Sequence, residues 1–238
     1  MSHTSALIIP IYNPETGWEQ TFLKQYTLFI SKISQNIPVI LSNDGSKVDL
    51  GEGVDYLKNN IGELFYYVNN EKNQGKGAAL KAGARALNAD FYLFTDNDFP
   101  YSIESMILVY NTLLNKKGIV MGVRDQSYYQ DLSTFRTLLS KILKNFNKIL
   151  LRLPSNDTQC GLKAFDHEAK EVLLGCETDR FLIDLEFLMA AQHQRILITP
   201  IPVILRDDIS FTKFNSMVLF KELKNFLKLI LKYRLGLK

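Results

Sequence analysis

The sequence predicts an α/β fold with a mostly parallel, doubly wound sheet. Three observations support this prediction. Short apolar runs typical of buried strands alternate with longer stretches typical of helices. Hydrophobic residues make up 46% of the 238 residues, which is enough for one sizeable core. Each of the predicted strands also ends in a polar loop, and loops of this kind meet at one edge of a parallel sheet.

The first part of the chain contains four predicted strands, which cover residues 6–10, 38–42, 64–68 and 91–95. Predicted helices follow the first three strands and cover roughly residues 18–34, 48–59 and 78–87. Continuous apolar runs such as residues 6–10 are typical of strands that are buried on both faces of a sheet. Right-handed crossovers would place the four polar loops on one rim. Those loops contain Tyr12 and Asn13, Asn43 and Asp44, Gly75 and Lys76, and Asp96 to Asp98.

The fourth strand ends in two carboxylates, Asp96 and Asp98, which are separated only by Asn97. An Asp-x-Asp pair at the carboxyl end of a strand can hold one hard divalent cation, Mg²⁺ or Mn²⁺, against a phosphate-bearing substrate. The alternative is structural, with Asp98 capping the next helix and Asp96 ending the strand. The convergence of the other polar loops beside the pair favours the cation site.

The cysteines and the N-terminal residues indicate in which cellular compartment the protein is expected. The two cysteines, Cys160 and Cys176, provide no disulfide framework, so a reducing, cytoplasmic compartment is the simpler expectation. The first residues lack the basic region of a signal peptide. No stretch approaches the roughly 18 uncharged apolar residues that a membrane-spanning helix needs.

The C-terminal residues 213–238 carry seven basic groups and one acid, which leaves 21 of the 28 basic and 24 of the 25 acidic groups in residues 1–212. A basic tail on an acidic body suggests contact with an anionic surface. The tail has a lysine stripe opposite an apolar face, a pattern typical of helices at a membrane interface. The predicted apolar face consists of Phe220, Leu223, Phe226, Leu227, Ile230 and Leu231. The alternative is a helix packed on the body with its lysines in water. No nucleic-acid motif accompanies the charge, so nucleic acid is not expected.

Four motifs, in order, resemble those of family 2 glycosyltransferases with the GT-A fold. They are Ile8-Ile9-Pro10-Ile11-Tyr12-Asn13, Asn43-Asp44-Gly45-Ser46, Asn73-Gln74-Gly75-Lys76-Gly77-Ala78-Ala79 and Asp96-Asn97-Asp98. Three later segments resemble the polyprenyl-phosphate sugar transferases, the group that contains dolichol-phosphate mannosyl- and glucosyltransferases. They are the run from Asp157 to Phe165, Arg136 with Ser140, and Ile201-Pro202-Val203 followed by Arg206.

The resemblance covers about residues 5–210. It implies a GT-A domain over residues 1–212. The spacing of basic and apolar residues predicts an amphipathic helix at about 134–153 within this domain, and the basic amphipathic helix over residues 213–238 follows it. The resemblance also implies a metal-dependent, inverting transfer of a hexose from a UDP- or GDP-sugar to a polyprenyl phosphate at the cytoplasmic face of the membrane. Because a lipid phosphate is already an anion, such an acceptor needs positioning and neutralisation and no general base.

The resemblance also implies residue roles. Nucleotide-sugar contacts would come from Pro10, Tyr12, Asn13, Asp44, Gly75, Lys76, Asp96 and Asn97, with Asp44 near the base. The acceptor phosphate would meet Arg124, Arg136, Ser140 and Arg206. Asp96 and Asp98 would hold the divalent cation, and the catalytic residues would be Asp98, Arg136 and Asp184. Two departures from the family pattern are Asn43, where an aspartate is usual, and Phe99-Pro100 after the Asp-x-Asp pair.

Two other functions remain open from the sequence. If the acceptor is a glycan or another hydroxyl, a carboxylate must take its proton, and Asp184 is the candidate base. Asp184 and Glu186 could instead be a favourable acidic pair at a helix N-terminus. A third reading is an inactive nucleotide-sugar-binding scaffold attached to membranes, against which the intact Asp96 and Asp98 argue.

Overall fold

The structure, a computed structural model, describes residues 4–124, 153–155, 157–208 and 225–233 of the chain. Within these residues, seven strands form one sheet with the order β3-β2-β1-β4-β6-β5-β7. The strands are β1 (Ser5–Ile11), β2 (Val39–Asn43), β3 (Phe65–Asn69), β4 (Phe91–Phe94), β5 (Ile119–Arg124), β6 (Lys163–Asp166) and β7 (Ile198–Val203). The helices are α1 (Trp18–Ile33), α2 (Gly51–Ile61), α3 (Lys76–Ala86), α4 (Ile103–Lys116), α5 (His167–Leu174) and α6 (Ile183–His193), with a short 3₁₀ turn at Gly62–Leu64.

The predicted mostly parallel sheet is confirmed. Strands β1 to β4 are parallel, and Leu7 of β1 lies opposite both Val39 of β2 and Leu93 of β4. Strand β6 runs antiparallel between β4 and β5, and β5 and β7 are parallel to each other. The antiparallel strand was not predicted, because its pairing depends on partners far away in the sequence. The carboxyl ends of β1, β2 and β4 meet at one edge, as the sequence predicts.

Two helical layers cover the sheet. Along β1 the side chains alternate between the layers, since successive residues of a strand point to opposite faces. Ala6 and Ile8 pack with α3, α5 and α6, whereas Leu7, Ile9 and Ile11 pack with α1 and α4. Because both faces are covered, the strand is apolar from Ala6 to Ile11, which explains the continuous run in the sequence.

A C-terminal segment, residues 225–233, is helical and packs on the layer that contains α6. Leu229 and Ile230 are buried, and Phe226 and Tyr233 pack beside them. This stripe has the i, i+3, i+4, i+7 spacing of a helix face that meets a core. The predicted apolar face is therefore wrong in part. Leu227 and Leu231 lie on the outer side and are 53% and 43% exposed.

Two predicted amphipathic helices lie largely outside the described residues. The helix predicted at about 134–153 falls there except for Leu153, and so do residues 209–224 and 234–238 of the C-terminal region. Within the part of the chain that the structure describes, no helix is both long and apolar enough to cross a membrane.

Candidate active site

The Asp-x-Asp turn follows β4 and is fixed by its backbone and by Arg206. The Phe99 N–H donates a hydrogen bond to the Asp96 carbonyl oxygen at 3.0 Å. Arg206 Nη1 donates to the carbonyl oxygens of Asp98 and Phe99 at 3.1 and 3.0 Å. Phe99 has a positive φ of 47°, a conformation that costs roughly 1–3 kcal/mol in a bulky residue. Its fully buried ring, edge-on to Phe22, holds the turn in this shape.

Asp96 faces a lysine and a glycine. Lys76, in the first turn of α3, places its Nζ 2.9 Å from Asp96 Oδ1. On the other side, a Cβ on Gly161 would overlap with Asp96 Oδ2. The Gly161 backbone is held there because its N–H donates to the Tyr101 hydroxyl at 2.8 Å. A side chain at position 161 would therefore displace this carboxylate from its present position.

The Asp98 carboxyl has a perturbed acidity. Restricted hydration and the neighbouring charge of Asp96 together raise the pKa of Asp98 to about 6, although Arg206 and Lys76 oppose the shift. Two carboxylates this close repel each other when both are ionised. A cation between them would relieve the repulsion, so the pair has the electrostatic character of a cation site.

A chain of charges runs from Asp96 through Lys76 to Asp184 and Lys163, and its last two members are buried. Asp184 Oδ1 accepts a hydrogen bond from Lys163 Nζ at 2.5 Å, and Asp184 Oδ2 lies 3.6 Å from Lys76 Nζ. Burial opposes ionisation of Asp184, but Lys163 and Lys76 outweigh it and hold the pKa of this carboxyl below its ordinary value. Burial likewise lowers the pKa of Lys76, while Asp184 and Asp96 raise it above the ordinary value. Asp184 is therefore an ionised carboxylate engaged by two lysines, a poor proton acceptor in this arrangement.

The loop before α3 is organised by Asp44, which is 3% exposed. Its carboxylate accepts hydrogen bonds from Asn73 Nδ2 at 2.8 Å, from the Gln74 N–H at 2.9 Å and from the Gly75 N–H at 2.8 Å. The predicted contact of Asp44 with a nucleotide base stays a prediction. The observed contacts give Asp44 a second task, because they fix the backbone that leads into Lys76.

The other loops at this edge are linked by their polar side chains. Asn13 accepts from the Lys47 N–H at 2.7 Å, and its own N–H donates to Ser46 Oγ at 2.9 Å. Asn43, which replaces the usual aspartate, accepts from both the N–H and the hydroxyl of Ser46 and donates to Asn69 Oδ1. Asparagine can do both because its amide is a donor and an acceptor. Tyr12 is 43% exposed at the same edge.

The predicted site residues fall into four groups. The structure brings together Gly75, Lys76, Asp96, Asn97, Asp98, Asp184 and Arg206, and places Pro10, Tyr12, Asn13 and Asp44 at the neighbouring strand ends. Arg124, at the end of β5, holds Asp157 through Nε and Nη2 at 2.9 and 2.5 Å. Its assignment to the acceptor phosphate stays a prediction. Arg136 and Ser140 lie outside the described residues.

Sequence reasoning gave no role to Lys163, Asp157 or Tyr101. Lys163 is fully buried, and a lysine in that position needs a paired carboxylate. The signal was present in the sequence, because this lysine stands inside the apolar run from Leu162 to Phe165 at the end of a recognised motif. Its partner could not be read from the same stretch.

Comparisons with known proteins show the family of this chain. The family model described as Glycosyl transferase family 2 matches residues 6–173. A dolichyl-phosphate beta-glucosyltransferase of Trichomonas vaginalis is 28% identical over 249 residues, covering 98% of this chain and 74% of that protein. The human dolichyl-phosphate beta-glucosyltransferase is 27% identical, covering 83% of this chain and 66% of its own length.

A solved structure shows the same fold. It is glucosyl-3-phosphoglycerate synthase from Mycobacterium tuberculosis in complex with Mn²⁺, uridine diphosphate and glucosyl-3-phosphoglycerate. The TM-score is 0.64 at 15% identity, and the match covers 99% of this chain and 81% of the other. The motifs predicted membership of the family 2 glycosyltransferases, and the family match, which spans most of the chain, confirms it. The chain therefore belongs to glycosyl transferase family 2, and it is a glycosyltransferase with the GT-A fold.

Proposed function

We propose that this glycosyltransferase moves a hexose from a UDP- or GDP-sugar to a polyprenyl phosphate, with a divalent cation at Asp96 and Asp98. The observation that carries the proposal is the meeting of Lys76 with Asp96 at 2.9 Å, at the carboxyl end of β4 and the N-terminus of α3. Cationic and anionic groups at such an edge suit a diphosphate and its counter-ion. The dolichyl-phosphate glucosyltransferases among the relatives support the lipid acceptor.

The two carboxylates fit an Mg²⁺ or Mn²⁺ ion that is shared with the substrate. Within the described residues, no group of three acidic, histidine or cysteine side chains could hold a metal ion by itself. Mg²⁺ usually takes only one or two protein carboxylates and completes its shell with water and substrate phosphates. When bound, the cation would neutralise charge on the departing diphosphate. The structural neighbour that contains Mn²⁺ and uridine diphosphate supports this assignment.

Side chains of the protein would bind and orient the donor. Lys76 would pair with the donor diphosphate, and Asp184 would orient its ammonium from below, since Asp184 Oδ2 lies 3.6 Å away. An oxygen of the acceptor phosphate would form a bond to the anomeric carbon, and the bond from that carbon to the diphosphate would break, with inversion. The nucleoside diphosphate leaves with the electron pair. Asp184 needs no proton in this scheme, which agrees with its engagement by two lysines.

A donor screen tests the reaction. UDP- and GDP-sugars are offered with Mn²⁺ or Mg²⁺, with and without a short polyprenyl phosphate. We expect labelled sugar in the organic phase only when the lipid is present, and the active donor identifies base and sugar. Transfer to a hydroxyl acceptor without lipid-linked product would contradict the lipid assignment and return Asp184 to the role of base.

Cation binding should depend on pH because protons compete for Asp98. The pKa of about 6 means that Asp98 is mostly ionised above that pH and mostly protonated below it. We expect the affinity for Mn²⁺ to be nearly constant from pH 7 to 8 and to fall about tenfold per unit below pH 6. Titration of the protein with Mn²⁺, followed by electron paramagnetic resonance, would measure this. An affinity that stays flat down to pH 5 would contradict a pKa near 6 for the carboxyl that binds the cation.

We also propose peripheral contact with the cytoplasmic face of a membrane through the outer side of residues 225–233. This outer side carries Leu227, Lys228 and Leu231, two apolar groups beside a cation, a combination suited to an anionic bilayer surface. The proposal concerns only this side, because Leu229 and Ile230 are buried against the body.

Replacing Leu227 and Leu231 together with serine should reduce co-sedimentation with anionic vesicles by at least about tenfold, since apolar insertion contributes on the order of 1 kcal/mol per half-exposed leucine. Leu108→Ser is the control, because Leu108 is 47% exposed on α4, in the opposite layer. Equal co-sedimentation of the double variant and wild type would refute the contact.

A further inference from the structure

A buried acid outside the predicted site, Glu186, connects the C-terminal helix to the loop beside Lys76. Glu186 lies in the first turn of α6, two residues after Asp184, and its side chain is fully buried. Its Oε2 accepts a hydrogen bond from the Thr178 N–H at 2.7 Å, and its Oε1 accepts from the Glu177 N–H at 3.1 Å. A buried carboxylate needs several donors, and two of them here are backbone groups of one loop.

The remaining partners of Glu186 come from the C-terminal segment. The Tyr233 hydroxyl donates to Glu186 Oε1 at 3.1 Å, and Lys232 Nζ lies 3.7 Å from the same oxygen. Lys232 also reaches Glu177 Oε1 at 2.8 Å. Burial and the charge of Glu186 raise the pKa of Tyr233 to about 12, so its hydroxyl remains a donor at neutral pH. The loop and the segment therefore share one buried anion.

The loop that Glu186 holds, residues 176–180, packs on the start of α3. The Asp179 carbonyl oxygen accepts a hydrogen bond from the Ala78 N–H at 3.0 Å. Lys81 Nζ pairs with Asp179 Oδ1 at 2.5 Å and donates to the Cys176 carbonyl oxygen at 3.0 Å. A Cβ on Gly75 would overlap with the Asp179 carbonyl oxygen, so the loop touches the backbone that immediately precedes Lys76.

We propose that Glu186 is a positioning residue, and that the C-terminal segment acts through it to fix residues 176–180 against Gly75 and thereby to place Lys76 for the donor diphosphate. This inference rests on the proposed function, because it assumes that the donor diphosphate binds at Lys76. Two acids of α6 then divide the task. Asp184 orients the Lys76 ammonium directly, and Glu186 holds the loop that supports the Lys76 backbone.

The test uses the full chain and the milder of two substitutions. Tyr233→Phe keeps the aromatic ring and removes only the hydroxyl that Glu186 accepts from. Hydrogen exchange of the Glu177 and Thr178 amides should become about fivefold faster, and binding of UDP or GDP with Mn²⁺ should weaken about fivefold, while kcat changes less than twofold. Glu186→Gln, which loses one acceptor oxygen, should produce the same changes more strongly.

Tyr56→Phe is the matched control, because Tyr56 is 40% exposed on α2 and remote from this cluster. Exchange in the sheet, which reports global stability, should be equal in Tyr233→Phe and wild type. Either unchanged exchange at Glu177 and Thr178 or unchanged nucleotide affinity in Tyr233→Phe would overturn the inference. A wild-type protein that binds neither UDP nor GDP would instead contradict the proposed function. This measurement needs no variant, so it distinguishes the two failures.

Discussion

Replacing Asp98 with asparagine is expected to reduce turnover by about 100-fold or more, even at saturating Mn²⁺. A positioned cation contributes several kcal/mol to a transition state that develops phosphate charge, and a loss of about 3 kcal/mol corresponds to about 100-fold. Asparagine has nearly the same shape, and Arg206 bonds the backbone carbonyl of residue 98, so the turn should be retained. The rate of lipid-linked product formation, with the donor identified in the screen, measures the effect.

Asp55→Asn serves as the control, since Asp55 is an exposed carboxylate on α2. It removes the same charge from the protein and should leave turnover within a factor of two. The affinity of Asp98→Asn for Mn²⁺ should also lose its dependence on pH near 6, because the titrating group is gone. Turnover of Asp98→Asn within threefold of wild type would remove this residue from the chemistry.

The parts of the fold prediction that are confirmed are those encoded by local patterns. The apolar run of β1 is continuous because helices cover both faces of the sheet. All seven residues of the strand are buried, so a local run of apolar residues was enough to predict it. The Asp96 and Asp98 pair is equally local, since both carboxylates belong to one turn. Their meeting with Lys76 followed from topology alone, because parallel strands place their carboxyl ends at a common edge.

The parts that were not predicted depend on partners far apart in the sequence. Strand β6 pairs with β4 and β5 in an antiparallel direction, and no local pattern states that direction. The role of Arg124 at the acceptor phosphate stays a prediction, but the contact of its guanidinium with Asp157, 33 residues away in the sequence, was not predicted. An arginine offers the same donor fork to a carboxylate as to a phosphate, so the residue type alone does not distinguish the two.

The orientation of the C-terminal segment also depends on residues far away in the sequence. Its helical spacing predicted one apolar face, but the sequence contains two, and only the body's own surface selects which one is buried. The face with Leu229 and Ile230 is inward. Lys232 was predicted to lie on the basic stripe of this helix, and its contact with Glu177 was not predicted, because it depends on the loop that Glu186 holds.

Replacing Lys163 with methionine should have the largest effect on stability. Lys163 is fully buried, and its Nζ bonds both Asp184 Oδ1 and the Cys160 carbonyl oxygen at 2.5 Å. Methionine fills much of the volume but leaves both oxygens without that donor. Removing one partner of a buried ion pair typically costs 3–5 kcal/mol, so a loss of about 3–5 kcal/mol and a fall in Tm of about 6–20 °C are expected. Differential scanning calorimetry measures both.

Lys170→Met is the matched control. Lys170 is also buried, but its Nζ lies 3.8 Å from the exposed carboxylate of Glu171 and donates a 3.3 Å hydrogen bond to the neutral amide oxygen of Asn88. Its effect should stay below about 1 kcal/mol. The double variant Lys163→Met with Asp184→Leu should recover much of the lost stability, since it leaves no unpaired buried charge. It should not recover activity, because Lys76 would lose the carboxylate that orients it. If the double variant recovered both stability and activity, Asp184 would serve only the fold. If it recovered stability alone, the role of Asp184 at Lys76 would be separate from its role in pairing with Lys163.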